Sequence, residues 1–270
     1  MKKTHLIILS LFLTSAIIIT ATVITYKALT VPKSKKYVVE TIEANSKGYI
    51  KVGIISDAQL PQEEKNLYGW DYATVMNGAD HLIKALKYYK SQNVDMIVFN
   101  GDMVNATGDY AAYSAYNKIL DYVYGEDRAE APHIIYPMGN HEFYGGNQEH
   151  NFYKSTGLPL NTRTIVNGYS FISISNSKLE KGDEELAESN DTLADGTYNE
   201  KRIEFLKEQL AAANTEDPNK PIFVFIHMPI SNIVNGGHWA TPQYEEIYSI
   251  LKEYPQAVVF TGHSHYCMSD

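Results

Sequence analysis

Residues 94–102 read V-D-M-I-V-F-N-G-D, an apolar run that ends abruptly at Asn100, Gly101 and Asp102. The run 94–100 predicts a strand, and the polar residues with Gly101 predict the turn that closes it. Working outward, 51–56 (KVGIIS) and 133–138 (HIIYPM) read as flanking strands, and 169–175 (YSFISIS) alternates as a half-buried one. Further strands are expected at 221–226 (PIFVFI) and 257–261 (AVVFT). Between them, 73–90 places Val75, Ala79, Leu82, Ile83, Leu86 and Tyr89 at spacings of three and four, with Lys84, Lys87 and Lys90 outside the stripe. Residues 110–124 and 199–213 read as similar helices, and 178–196, acidic and rich in Asn, Ser and Gly, as an exposed loop. Strands alternating with helices predict an α/β fold.

Most of these strands stop at an Asp, Asn or His. The series is Asp57 with Gln59, then Asn100-Gly101-Asp102, Gly139-Asn140-His141-Glu142, His227, and Gly262-His263-Ser264-His265. In an α/β sheet such ends converge on one crevice, so residues far apart in sequence can meet there. Taken singly, Asp57 and Asp102 read as helix caps or turn carboxylates, Asn140 as a turn residue, and His227 as a satisfied core histidine. Taken together they make a mixed nitrogen and oxygen donor set, suited to Mn²⁺, Fe or Zn²⁺ rather than Ca²⁺. The 263/265 spacing predicts both histidines on one side of an extended segment. His5 and His81 read as structural, and His133 opens a strand. His238, in an Asn-Gly-Gly loop after His227, is a candidate to reach a substrate, and Tyr68, Trp70 and Tyr72 are a candidate aromatic wall.

The chain has 270 residues, 44% hydrophobic and 20% charged, which suits one folded domain. A net charge of −9 argues against a broad nucleic-acid-binding face. It leaves a phosphate ester open as substrate, because bound cations invert the local field. One cysteine, Cys267, excludes an intramolecular disulfide and a cysteine-based zinc site. Residues 6–25 carry no charge and match a bilayer-spanning helix, so 1–29 reads as an uncleaved signal anchor or transmembrane segment, 30–48 as a linker, and 49–270 as the main domain. The expected location is a cell membrane with that domain outside the cytoplasm, or secretion if the leader is cleaved.

The series D-x-Q, G-D, G-N-H-E, H and G-H-x-H, in this order after strands, resembles the calcineurin-like metallophosphoesterase superfamily over residues 51–265. The resemblance implies a two-sheet αββα sandwich that is C-terminally incomplete at Asp270, and hydrolysis of a phosphomonoester or phosphodiester. It implies two divalent ions, Mn²⁺ foremost with Fe, Zn²⁺ or Mg²⁺ as alternatives, and an attacking hydroxide between them. Asp57, Gln59, Asp102 and His265 would hold the first metal, and Asp102, Asn140, His227 and His263 the second, with Asp102 bridging. His141 would act as an acid or as a donor to the phosphoryl oxygens, and Glu142 would orient His141 or the adjoining backbone. Gln59 stands where the family most often has His, and its harder oxygen would favour Mn²⁺ or Mg²⁺. The rival reading is a membrane-tethered binding module that keeps the pocket without turnover. Pocket loops at 60–77 and 176–198 are expected to choose the substrate.

Overall fold

Two sheets face each other with helices on their outer sides, as the alternation of apolar runs and amphipathic stretches requires. The computed structural model describes residues 33–45, 48–60, 72–105, 112–143, 148–177, 196–231, 241 and 243–265. A three-stranded sheet, wholly parallel, is formed by β2 (Val52–Ile55), β3 (Met96–Phe99) and β4 (His133–Ile135). A five-stranded sheet has the order β1 (Tyr37–Ile42), β5 (Asn161–Val166), β6 (Tyr169–Ile174), β7 (Ile222–Ile226) and β8 (Ala257–Phe260). Only the β5–β6 pairing in it is antiparallel.

The helices are α1 (Lys33–Lys36), α2 (Tyr72–Gln92), α3 (Ala112–Tyr124), α4 (Gln148–Thr156), α5 (Glu200–Glu216) and α6 (Tyr244–Leu251). A 3₁₀ turn spans His141–Phe143. The stripe expected on α2 buries Leu82 and Leu86 against Phe99, Tyr116 and Leu120, which covers the three-stranded sheet. Leu206 and Leu210 of α5 and Ile247 of α6 cover the outer face of the five-stranded sheet with Ile172 and Val224. Between the sheets lie Met96, Val98 and Ile135 on one side and Val166, Phe171 and Phe225 on the other. Each fully buried side chain of this size contributes about 1.5–3 kcal/mol. Helix α5 starts at Asn199, whose side chain accepts from the Arg202 N–H and so satisfies one of the helix's free donors.

The stretch expected as a linker is corrected here. Residues 37–42 form β1, paired with β5 in parallel register from Tyr37↔Asn161 to Ile42↔Val166. Both strands escaped the sequence reading because β1 is an edge strand without a buried residue and β5 (NTRTIV) is largely polar. In β5 the buried Arg163 is satisfied by Ser170 and Glu216, and Thr162 by Ser173, which is what allows a polar segment inside a sheet. The apolar leader, Trp70, Tyr68 and most of both expected pocket loops lie outside the described residues. Among the described residues no helix is long and apolar enough to cross a membrane.

Candidate metal centre

The two sheets bring their C-terminal strand ends together, and each supplies half of a polar cluster. Past β2, β3 and β4 come Asp57 and Gln59, Asp102, and Asn140 with His141; past β7 and β8 come His227, His263 and His265. Beyond β2 and β3 the two chains stay paired: Asp57 N donates to Gly101 O (3.1 Å), Gln59 N to Asp102 O (2.9 Å) and Leu60 N to Met103 O (2.8 Å).

The backbone here is strained. Of the eight non-glycine residues at positive φ among the described residues, five are Asp57 (58°), Gln59 (43°), Asp102 (52°), His263 (66°) and His265 (54°). Each costs roughly 1–2 kcal/mol, and strain of this kind concentrates where a site must be held in one geometry. Two glycines show how tightly it is held. A side chain at Gly139 would collide with Asp102 Oδ1 and the His227 ring, and one at Gly101 (φ 85°) would strike His227 as well.

Asp102 is fully buried, and its Oδ2 lies 3.0 Å from His227 Nε2 and 4.0 Å from His141 Nε2. The donor atoms of Asp102, His227 and His263 lie within 4.8 Å of one another. A second group forms beside it: His265 Nε2 is 3.4 Å from Asp57 Oδ1 and 3.1 Å from Gln59 Nε2, while Asp57 Oδ1 is 3.8 Å from His227 Nε2. The expectation that His263 and His265 leave an extended segment on one side is corrected. Strand β8 ends at Phe260, and the positive φ of both residues sends His263 toward Asp102 and His265 toward Asp57. Asn140 is buried between Gly139 and His141, and the His141 N–H donates to Asp102 Oδ1 at 2.8 Å. Gln59 is buried and turns its amide nitrogen to both His265 and His141 (3.4 Å). His238 lies outside the described residues.

Several partners carry no sequence signal. His227 Nδ1 is held at 2.8 Å by the carbonyl of Asn100, and His141 Nδ1 at 2.7 Å by that of Asn105, so both rings present Nε2 to Asp102. Glu142, expected to orient either His141 or the backbone, does the latter. Its carboxylate accepts from the N–H groups of Asp102 (2.9 Å), Met103 (2.9 Å) and Gly139 (2.7 Å) and from the Tyr136 hydroxyl (2.6 Å). Asp57 accepts the His263 N–H and the Ser56 hydroxyl.

Burial opposes a charge on Asp102, but His227 and His141 outweigh it and bring the carboxyl down to about 2. Burial likewise opposes the charged form of His227, yet Asp102 and Asp57 push it up to about 10. Burial, with the Asp102 charge second, pushes Glu142 up to about 7 in spite of its hydrogen bonds. His265 is raised by its hydrogen bond to Asp57, against burial. The negative field at Asp57 and Asp102 therefore draws positive charge. Asp102 Oδ2 and His227 Nε2 face each other at 3.0 Å as a fully buried ion pair, with no other hydrogen-bond partner for either atom among the described residues. Two buried donor atoms in that state fit a shared divalent cation.

The calcineurin-like phosphoesterase family model matches residues 50–267. Among solved structures, the chain is similar to a dimetal phosphatase from Danio rerio, at 17% identity and a TM-score of 0.58, over 80% of this chain and 82% of that one. No curated protein matches.

Proposed function

We propose that this chain, which belongs to the calcineurin-like phosphoesterase family, hydrolyses phosphomonoesters or phosphodiesters with two divalent cations held between its sheets. The single observation that carries this is the buried facing pair Asp102 Oδ2 and His227 Nε2, 3.0 Å apart, with a donor atom of His263 in the same cluster. Asp57, Gln59, Asp102 and His265 would hold one ion, and Asp102, Asn140, His227 and His263 the other. Bound there, two cations would supply Lewis acidity, activating water and drawing charge from a phosphoryl group. Mn²⁺ suits this mixture of imidazole with carboxylate and amide oxygen.

The chain's own residues do the rest. Asn100 O and Asn105 O fix the tautomers of His227 and His141, so that Nε2 of each faces inward. His141, only partly shielded from solvent, would offer Nε2 as an acid or as a donor to phosphoryl oxygens. Glu142 holds the backbone of Asp102, Met103 and Gly139 in place and touches no reacting atom.

The test is metal analysis of the purified protein paired with turnover of p-nitrophenyl phosphate and bis-p-nitrophenyl phosphate in Mn²⁺. Close to two ions and turnover of one ester are expected, and Asp102→Asn should abolish turnover in a folded protein. A second reading, a binding module without turnover, is favoured by the Gln59 amide, which as placed donates toward two imidazoles rather than offering its oxygen. Metal uptake without hydrolysis would select it. The uncharged run 6–25 supports a membrane-held protein with its domain outside the cytoplasm, and a reporter fused after Lys36 should then be active only outside the cell.

A further inference from the structure

We propose that Asn100 is a positioning residue whose side-chain amide clamps the ends of β7 and β8 to the end of β3, and so sets the distance between Asp102 and the histidines opposite. The inference rests on the reading of the seam as a metal centre. Asn100 is 1% exposed, and its single amide nitrogen donates to the last carbonyl of β7, Ile226 O (3.4 Å), and to the last carbonyl of β8, Phe260 O (3.2 Å). Ile226 directly precedes His227, and Phe260 stands three residues before His263. The same residue's carbonyl receives His227 Nδ1 (2.8 Å) and the Ser56 hydroxyl (2.9 Å), and that hydroxyl also reaches Asp57 Oδ2. Its N–H donates to Ile55 O at 2.7 Å. One residue thus touches the ends of β2, β7 and β8 and lies two positions before Asp102.

The chemistry demands asparagine. An amide carries two N–H donors on one planar nitrogen, so one side chain can satisfy two carbonyls of adjacent strands. Aspartate would set an acceptor against both. Leucine, of similar shape, would leave both buried carbonyls with one partner fewer. The amide orientation is fixed by its neighbours, since both groups it meets on that side are acceptors. Hydrophobic contact between the sheets cannot substitute, because it is non-directional and tolerates small sliding that a metal centre does not.

A merely structural asparagine and a positioning one differ in what their loss moves. Asn100→Ala removes both donors without adding charge, Asn100→Ser keeps one hydroxyl donor, and Val98→Ala weakens the inter-sheet core two positions earlier on β3 while removing no hydrogen bond. Mn²⁺ affinity by calorimetry and the crystal structure of each metal-free protein are the readouts. Asn100→Ala should bind Mn²⁺ some 10–100-fold more weakly, with Asn100→Ser between it and wild type, while Val98→Ala at a comparable loss of Tm stays within about threefold. The His227 Nε2 to Asp102 Oδ2 separation should grow beyond 3.0 Å in the Asn100 variants alone. If Asn100→Ala does not fold, Asn100→Ser decides. Wild-type Mn²⁺ affinity and an unchanged separation in the Asn100 variant would overturn the clamp. If the wild-type protein itself takes up no Mn²⁺, the metal reading falls, and the metal-free separations alone decide for or against the clamp.

Discussion

At the C-terminal ends of β3, β7 and β8 the sheets meet through Asn100, the Asp102–His227 pair and the His263 N–H on Asp57, all at hydrogen-bonding distances. Deeper between the sheets they meet instead through Phe171, Phe223, Phe225 and Phe260 against Val52 and Ile54, beside an open cleft of about 580 Å³. The rings there stack nearly parallel, Phe171 on Phe223 at 4.8 Å and Phe225 on Phe260 at 4.9 Å. The aromatic region holds the sheets together and leaves room to spare. The polar seam is crowded enough that a side chain would collide at three of its corners, Gly101, Gly139 and Gly262. Apolar burial supplies adhesion without direction, whereas hydrogen bonds to strand-end groups supply position.

The sharpest way to break this contrast is Gly101→Ala. A methyl group there meets the His227 ring at a φ of 85°, so left-handed strain and overpacking together should cost about 2–5 kcal/mol, with loss of Mn²⁺ uptake. Denaturant unfolding and metal analysis check it; a protein as stable and as metal-loaded as wild type would remove the crowding from the argument. At the other region, Phe171→Ala should cost about 3 kcal/mol, the low end for a buried phenylalanine because the hole opens into an existing cleft. Metal affinity should not change, and an affinity loss matching that of Gly101→Ala would erase the distinction between the two regions.

A smaller perturbation acts behind the site. Tyr136→Phe deletes one of four donors to Glu142 and should cost about 1–2 kcal/mol. Because that carboxylate seats the Asp102 backbone, Mn²⁺ affinity should fall roughly tenfold in a calorimetric titration. The last perturbation is acidification near Glu149. Burial raises its carboxyl, but Arg202 and Lys36 outweigh that and hold it below its ordinary range. Arg202 in turn grips the carbonyls of Ser175 and Asn176 beyond β6. For a depressed carboxyl the contribution is complete above the unfolded value and is lost as pH falls through the folded one. Glu149→Gln, which leaves the buried Arg202 without this countercharge, should therefore lower stability above pH 5 and progressively less below it, as Tm against pH would show. An effect that grows as pH falls would reverse the sign of this linkage.

Much of the molecule is legible locally. The runs at 51–56, 94–100, 221–226 and 257–261 became β2, β3, β7 and β8 because an unbroken apolar stretch has few other ways to bury itself. The polar residues after them stood out because they interrupt those runs at the ends. Nothing local marks β1 and β5, whose pairing joins Tyr37 to Asn161 across more than a hundred residues. Asn100 was visible only as the first letter of a turn, since its partners at Ile226 and Phe260 lie 126 and 160 residues away. Residue types and the places of the apolar strands are thus written in the sequence, as is the identity of the candidate donors, because hydrophobic periodicity and motif spacing are properties of short segments. The separations among those donors, the turning apart of His263 and His265, and the crowding that admits only glycine were settled by packing two sheets face to face with their polar strand ends together. They are relations between distant segments, fixed when hydrogen bonds and contact distances are satisfied together in three dimensions.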